Sequence, residues 1–209
     1  MVPALAVALA ATALLDWHAV CRDHRRVEKV AKPLVMVLLA ALALALGAGG
    51  TATGLWLLTA IALGCTGDVF LLGDSEPHFL AGLAAFLLGH LAYVAAFASL
   101  GFDPRWALAG AAVVALDLAT AGRRILVSAS RQDRTLGGAV AAYMLVIAAM
   151  TVTAWGTGRP LVGLGAVVFV VSDTVLALDR FVRPRPASRV LVMVTYHVGQ
   201  VLMVLGALR

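Results

Sequence analysis

The sequence predicts an all-α polytopic membrane protein, with eight transmembrane helices in a single domain over residues 1–209. Three observations carry this expectation. Apolar residues make up 62% of the chain and charged residues only 13%, and the mean hydropathy is +0.98; water-soluble domains run nearer to about 45–50% and about 25%. The apolar residues fall into eight runs near the roughly 20 residues that a spanning helix needs. The basic residues gather between alternate runs. The net charge of +5 and pI near 9.9 suit a polyanion, yet so apolar a chain has little polar surface for a phosphate backbone, and no nucleic-acid partner is expected.

The spans are placed at Val2–Val20, Pro33–Gly50, Gly54–Gly73, Phe79–Leu100, Trp106–Gly122, Gly138–Trp155, Pro160–Phe181 and Arg189–Leu208. Within hydrocarbon only helices and closed barrels satisfy every backbone group. These runs are continuous and rich in Ala and Leu, without the alternation of a barrel strand, so they read as helices. Span one has no basic residue ahead of it and several behind it, which is the pattern of a retained helix rather than a signal peptide. Span five is the shortest of the interior runs and is interrupted by Asp117. Trp17, Trp106 and Trp155 lie near span ends, as interfacial anchors do. Cys21 and Cys65 show neither a disulfide nor a zinc pattern.

Charge sets the expected orientation. The segments between spans one and two (Arg22, Arg25, Arg26, Lys29, Lys32), five and six (Arg123, Arg124, Arg131, Arg134) and seven and eight (Arg180, Arg183, Arg185, Arg189) hold thirteen of the sixteen Lys and Arg residues. The positive-inside bias puts these loops in the cytoplasm and both termini outside, in a multi-pass protein of the cell membrane.

Spans three and seven read alike. Gly67-Asp68-Val-Phe-Leu-Leu-Gly-Asp74 aligns with Ser172-Asp173-Thr-Val-Leu-Ala-Leu-Asp179. His90 and Tyr93 follow in span four, as Tyr196 and Gln200 follow in span eight. A four-plus-four parallel repeat explains this, and so does chance in an Ala- and Leu-rich chain.

Ionisable groups inside a membrane are costly and point to function. Asp68 and Asp173 sit at comparable depths, towards the cytoplasmic ends of spans three and seven. Two carboxyls sharing a low-dielectric cavity do not both stay ionised, so one serves as general acid and the other as general base. The alternative role for each is a hydrogen bond that ties helices together. His90 and Tyr93 share one helix face, as do Tyr196 and Gln200. Asp117, Asp16 and His18 serve the site or sit at helix ends beside arginines, whereas Asp74, Glu76 and Asp179 belong to the solvated edge. No phosphate-binding glycine loop, serine elbow or His-Glu-x-x-His helix is present. His18, His90 and His197 could bind zinc with the aspartates, but no two share a helix at ligand spacing. No metal and no cofactor are therefore expected.

The strings Gly67-Asp68-Val-Phe-Leu-Leu, Phe79 through Gly89-His90-Leu-Ala-Tyr93, Phe169-Val-Val-Ser172-Asp173 and Tyr196-His-Val-Gly-Gln200 resemble the YhhN/TMEM86 family of integral membrane proteins. Lys32-Pro33, Tyr143 and Met150 fit the same pattern. The resemblance implies an eight-span bundle and a lysoplasmalogenase activity, which splits the vinyl ether of a lysolipid into a fatty aldehyde and a glycerophospho-base. It implies Asp68 and Asp173 as the catalytic pair, with His90, Tyr93, Tyr143, Ser172, Tyr196 and Gln200 around the substrate. His197 stands where the family more often has another aromatic residue. Vinyl ether hydrolysis needs only proton transfer and water capture of an oxocarbenium ion, a two-carboxyl task that parallels glycoside hydrolysis. Lys32 and the basic loops suit the lipid phosphate. A small proton-coupled transporter or lipid-binding protein would use the same buried acids.

Overall fold

The computed structural model describes all 209 residues, Met1–Arg209. The chain is all helical, with eight helices and no strand. They are α1 (Val2–Cys21), α2 (Arg25–Ala45), α3 (Ala52–Phe70), α4 (Glu76–Ala98), α5 (Pro104–Asp117 continued through Arg123–Gln132), α6 (Arg134–Gly156), α7 (Pro160–Val182) and α8 (Ser188–Leu208). Six of these, all but α2 and α5, are long and apolar enough to cross a membrane.

The two exceptions correct the expected boundaries. Residues 25–32, read as loop, form the first two turns of α2, and Pro33 lies inside the helix. That segment has no breaker before Pro33, its Arg, Lys and Glu residues are good helix formers, and Glu28 sits in the first turn, where an acid favours the helix dipole. α5 likewise continues beyond Gly122, through a π-helical turn at Leu118–Gly122 into an amphipathic segment that buries Ile125 and Ala129. Arg123, Arg124 and Arg131 therefore ride on a helix, and Asp133 alone separates α5 from α6. A second π turn, Leu178–Val182, ends α7.

Helix starts follow capping chemistry. The side chains of Thr51, Ser75, Asp103 and Asp133 accept from the backbone N–H of Gly54, His78, Arg105 and Leu136, respectively. At exposed Asp133 these cap hydrogen bonds favour the anion and hold its pKa below the ordinary value.

The chain divides into two compact units, residues 1–100 with 204–209, and residues 101–203. In the first unit α1 packs on α2, α2 on α3 and α3 on α4. In the second, α5 packs on α6 and α6 on α7, and α7 meets the part of α8 up to Met203 through Gly165. Small residues permit the close approach, as is usual where lipid-like surroundings remove the hydrophobic drive between helices.

Two glycines carry this packing most directly. A Cβ on Gly110 of α5 would lie 2.9 Å from the Thr151 carbonyl oxygen, and one on Gly165 would lie 2.7 Å from the Met203 backbone nitrogen. Both obstacles are helical backbone and do not yield as a side-chain tip would. We expect Gly110→Ala and Gly165→Ala each to destabilise the purified protein by about 1–3 kcal/mol, read as a lower thermal midpoint in detergent. An unchanged midpoint in both would show that the helices part readily.

Candidate functional site

Each unit brings sequence-predicted residues together in its own way. In the first, Lys32 of α2 points its Nζ at Asp68 Oδ1 of α3, 3.4 Å away. The two side chains are only 6% and 1% exposed. Lys32, expected to suit the lipid phosphate, thus stands in a buried ion pair, and because an ammonium carries three donors this partner does not exhaust them. One turn before Asp68, the Cys65 thiol donates to the Pro33 carbonyl at 3.7 Å, so α2 and α3 also touch beside the pair.

His90 and Tyr93 of α4 are buried as their shared face predicts, and Tyr93 stacks on Phe97 with ring centres 5.5 Å apart. Glu28 and Asp16 are buried too. Asp16, expected either at the site or at an arginine-paired helix end, is fully enclosed, and neither carboxyl oxygen has a hydrogen-bond partner.

In the second unit the Tyr143 phenol on α6 donates to Asp173 Oδ2 on α7. The next residue, Thr174, donates from Oγ1 to Asp117 Oδ1 on α5 at 2.7 Å. Three helices thereby meet around two carboxyls. Ser172 is buried and donates to the Val192 carbonyl of α8 at 2.9 Å, so its hydroxyl joins two helices. Tyr196, His197 and Gln200 are buried, and the Tyr196 ring meets Phe169 edge-on at 5.6 Å. Asp179, assigned to the solvated edge, instead accepts from the Ser188 hydroxyl at 2.5 Å and from the Arg185 N–H at 2.7 Å, which clasps the turn into α8. No group of three or more His, Cys, Asp or Glu side chains is placed to hold a metal ion.

Beside Asp117 an apolar cavity of about 260 Å³ opens between α5 and α6, lined by Val114, Leu118, Leu126, Met144 and Leu145 among others. Sequence reasoning leaves the link between Asp117 and Thr174 unseen. Its only signal is an acid in the middle of an otherwise apolar run.

These features define a polytopic helical membrane protein with carboxyls set in apolar helices, three of which, Asp68, Asp117 and Asp173, meet a partner on another helix. The chain belongs to the YhhN family, whose profile matches residues 27–207. Among curated proteins, human lysoplasmalogenase TMEM86B is 33% identical over 150 residues, covering 72% of this chain and 62% of that protein. Bovine lysoplasmalogenase TMEM86A is 30% identical over 151 residues, covering 68% and 60%. A lysoplasmalogenase of Mycobacterium tuberculosis (strain CDC 1551 / Oshkosh) is 31% identical over 190 residues, covering 88% and 71%. The chain thus spans about three-fifths of the mammalian proteins. No solved structure matches it.

The buried pair yields a direct test. Removing one member of a buried ion pair strands the other charge, at a cost of about 3–5 kcal/mol, whereas replacing both by apolar groups is often neutral. Lys32→Met is expected to unfold the protein at markedly lower temperature, and adding Asp68→Leu to recover most of the loss. Equal, additive losses in a double-mutant cycle would mean that the two groups do not interact.

Proposed function

We propose that the chain is a membrane hydrolase that cleaves the vinyl ether bond of lysoplasmalogen-type lysolipids, releasing a fatty aldehyde and a glycerophospho-base. The observation that carries this reading is the contrast between the partners of two carboxyls set in apolar helices, buried Asp68 and half-buried Asp173, in a family whose curated relatives are named lysoplasmalogenases. Asp68 is matched with an ammonium, which supports an ionised carboxylate. Asp173 accepts from a neutral phenol rather than from a cation, which suits a carboxyl that takes up and gives up a proton.

On this reading Asp173 delivers its proton to the β-carbon of the enol ether and leaves an oxocarbenium ion on the adjoining carbon. Asp68 stabilises that cation and takes a proton from the water that adds to it. The hemiacetal then collapses. The proton on Asp68 goes to the departing glycerol oxygen, the hemiacetal hydroxyl proton returns to Asp173, and both carboxyls are reset. Tyr143 orients Asp173, while His90, Tyr93, Ser172, Tyr196 and Gln200 shape the surroundings. No cofactor enters these steps.

The topology that accompanies this reading has eight crossings, with α2 and α5 crossing beside the six more apolar helices. The basic helix ends lie in the cytoplasm and both termini outside. Asp68 and Asp173 then occupy matching places in a four-plus-four repeat.

Asp68→Asn and Asp173→Asn are each expected to lower aldehyde release from a lysoplasmalogen by at least about 100-fold, the usual range for a lost general acid or base, with the thermal midpoint of Asp173→Asn little changed. Tyr143→Phe should retain partial activity. Full activity in either aspartate variant overturns the two-carboxyl mechanism. Lipid or proton flux through proteoliposomes without aldehyde would favour a transporter.

Topology has its own check. Cys21 is a free, exposed thiol at the basic end of α1. In a Cys65→Ser background it should react with a membrane-impermeant maleimide in inside-out vesicles and not in intact cells. Labelling of intact cells would invert the orientation.

A further inference from the structure

Asp16 is an anomaly that the mechanism above does not use. It is 0% exposed, and neither carboxyl oxygen has a hydrogen-bond partner. The charges that act on it are one ammonium, Lys32, and two carboxyls, Glu28 and Asp68. The ion pair of that ammonium goes to Asp68, which leaves Asp16 without a cation of its own. A buried carboxylate without a partner subtracts from stability, and a leucine or asparagine would serve packing better. Groups that cost stability and are nevertheless present mark functional positions. Asp16 also lies in α1, ahead of the residues 27–207 that match the family profile.

Its depth indicates what it meets. Asp16 is five residues from the end of α1, and Lys32 seven from the start of α2. At a rise of 1.5 Å per residue these are about 8 and 10 Å from one rim, close to where a head group gives way to hydrocarbon. That rim carries the exposed Arg22, Arg25, Arg26 and Lys29. A head group received at this end would have a cationic rim outside it and one unpartnered carboxyl beside one ammonium within. The matching ligand is a zwitterion, with the anion on the basic side chains and a cation on the acid.

We propose that Asp16 is a specificity-determining residue whose carboxylate receives the ammonium of the lysolipid's base, next to Lys32, which takes the phosphate. This inference rests on the lysolipid reading of the site. The recognised chemistry is an alkylammonium, primary as in ethanolamine or quaternary as in choline.

The test measures binding rather than turnover, so that it stands apart from the hydrolysis assays. The full chain in detergent micelles is titrated with three non-hydrolysable 1-alkyl lysolipids, bearing phosphoethanolamine, phosphocholine or a bare phosphate. The wild type should bind at least one of the two base-bearing lipids about tenfold or more tightly than the bare phosphate. The choice between them shows whether the seat takes a primary or a quaternary ammonium. In Asp16→Asn, and again in Asp16→Leu, that ratio should fall to about one, with thermal midpoints equal to or above wild type. Three results overturn the proposal: a wild-type ratio near one, a ratio that survives both substitutions, or loss of folding in both variants, which would make Asp16 a structural residue. Preserved head-group discrimination without aldehyde release would refute the hydrolase and leave this inference standing. Aldehyde release without discrimination would do the reverse.

Discussion

The ion pair between Lys32 and Asp68 sets the terms for the first unit. An ammonium and a carboxylate removed from water each carry a desolvation penalty of several kcal/mol, which mutual attraction offsets only when the geometry is maintained. Maintaining it requires α2 and α3 to stay in register, and the structure supplies a contact for that purpose where the Cys65 thiol reaches the Pro33 carbonyl. Pro33 has a part in this. A proline inside a helix has no N–H for the carbonyl four residues earlier, here Lys29, near the basic end where water and polar groups can satisfy it. The pair thus sits just inside a helix segment that begins polar and turns apolar at Pro33.

The second unit handles its carboxyls with neutral partners instead. The Tyr143 phenol and the Thr174 hydroxyl serve Asp173 and Asp117, and both bonds run between helices. Helices α5 and α7 each place a π turn shortly after the carboxyl that they contribute, at Leu118–Gly122 and Leu178–Val182. Such turns are frequent at functional sites because one inserted residue rotates everything beyond it relative to the helix before it. Beyond the first turn the chain becomes amphipathic, and Gln132 at its end reaches the Phe181 carbonyl within the second turn. The two irregularities therefore support one another.

The fold was legible in the sequence wherever hydrophobicity decides it. Every apolar run becomes a helix, because a long run of Ala, Leu and Val has no other way to satisfy its backbone in hydrocarbon. The helix ends at Arg25–Lys32 and Arg123–Gln132 were not, since hydropathy registers polarity there and is silent on helix propensity, which Arg, Lys, Glu and Gln possess in full. For the site, the pattern of isolated acids in apolar runs picked out Asp68 and Asp173, and shared helix faces picked out His90 with Tyr93. Their partners were another matter. Lys32 and Asp68, or Asp117 and Thr174, meet across helices, and the rotation of one helix against another follows from packing by residues such as Gly110 and Gly165 rather than from any short-range spacing.

The three kinds of carboxyl environment are best understood together. Asp68 has a cation, Asp173 a neutral donor, and Asp16 no hydrogen-bond partner. One residue type is thereby set to three chemical conditions by what stands opposite it, which is how enzymes obtain acid and base functions from identical side chains. The partnered carboxyls are explicable as structure or as chemistry, because their bonds to other helices contribute to both. Asp16 does not share that ambiguity. Packing gains nothing from an enclosed carboxyl without a partner, and the ligand proposed for it would offset the cost of its burial. On the proposed reading the chain separates two tasks among its acids, with bond cleavage assigned to Asp68 and Asp173, whose bonds run between helices, and recognition to the enclosed, unpartnered Asp16.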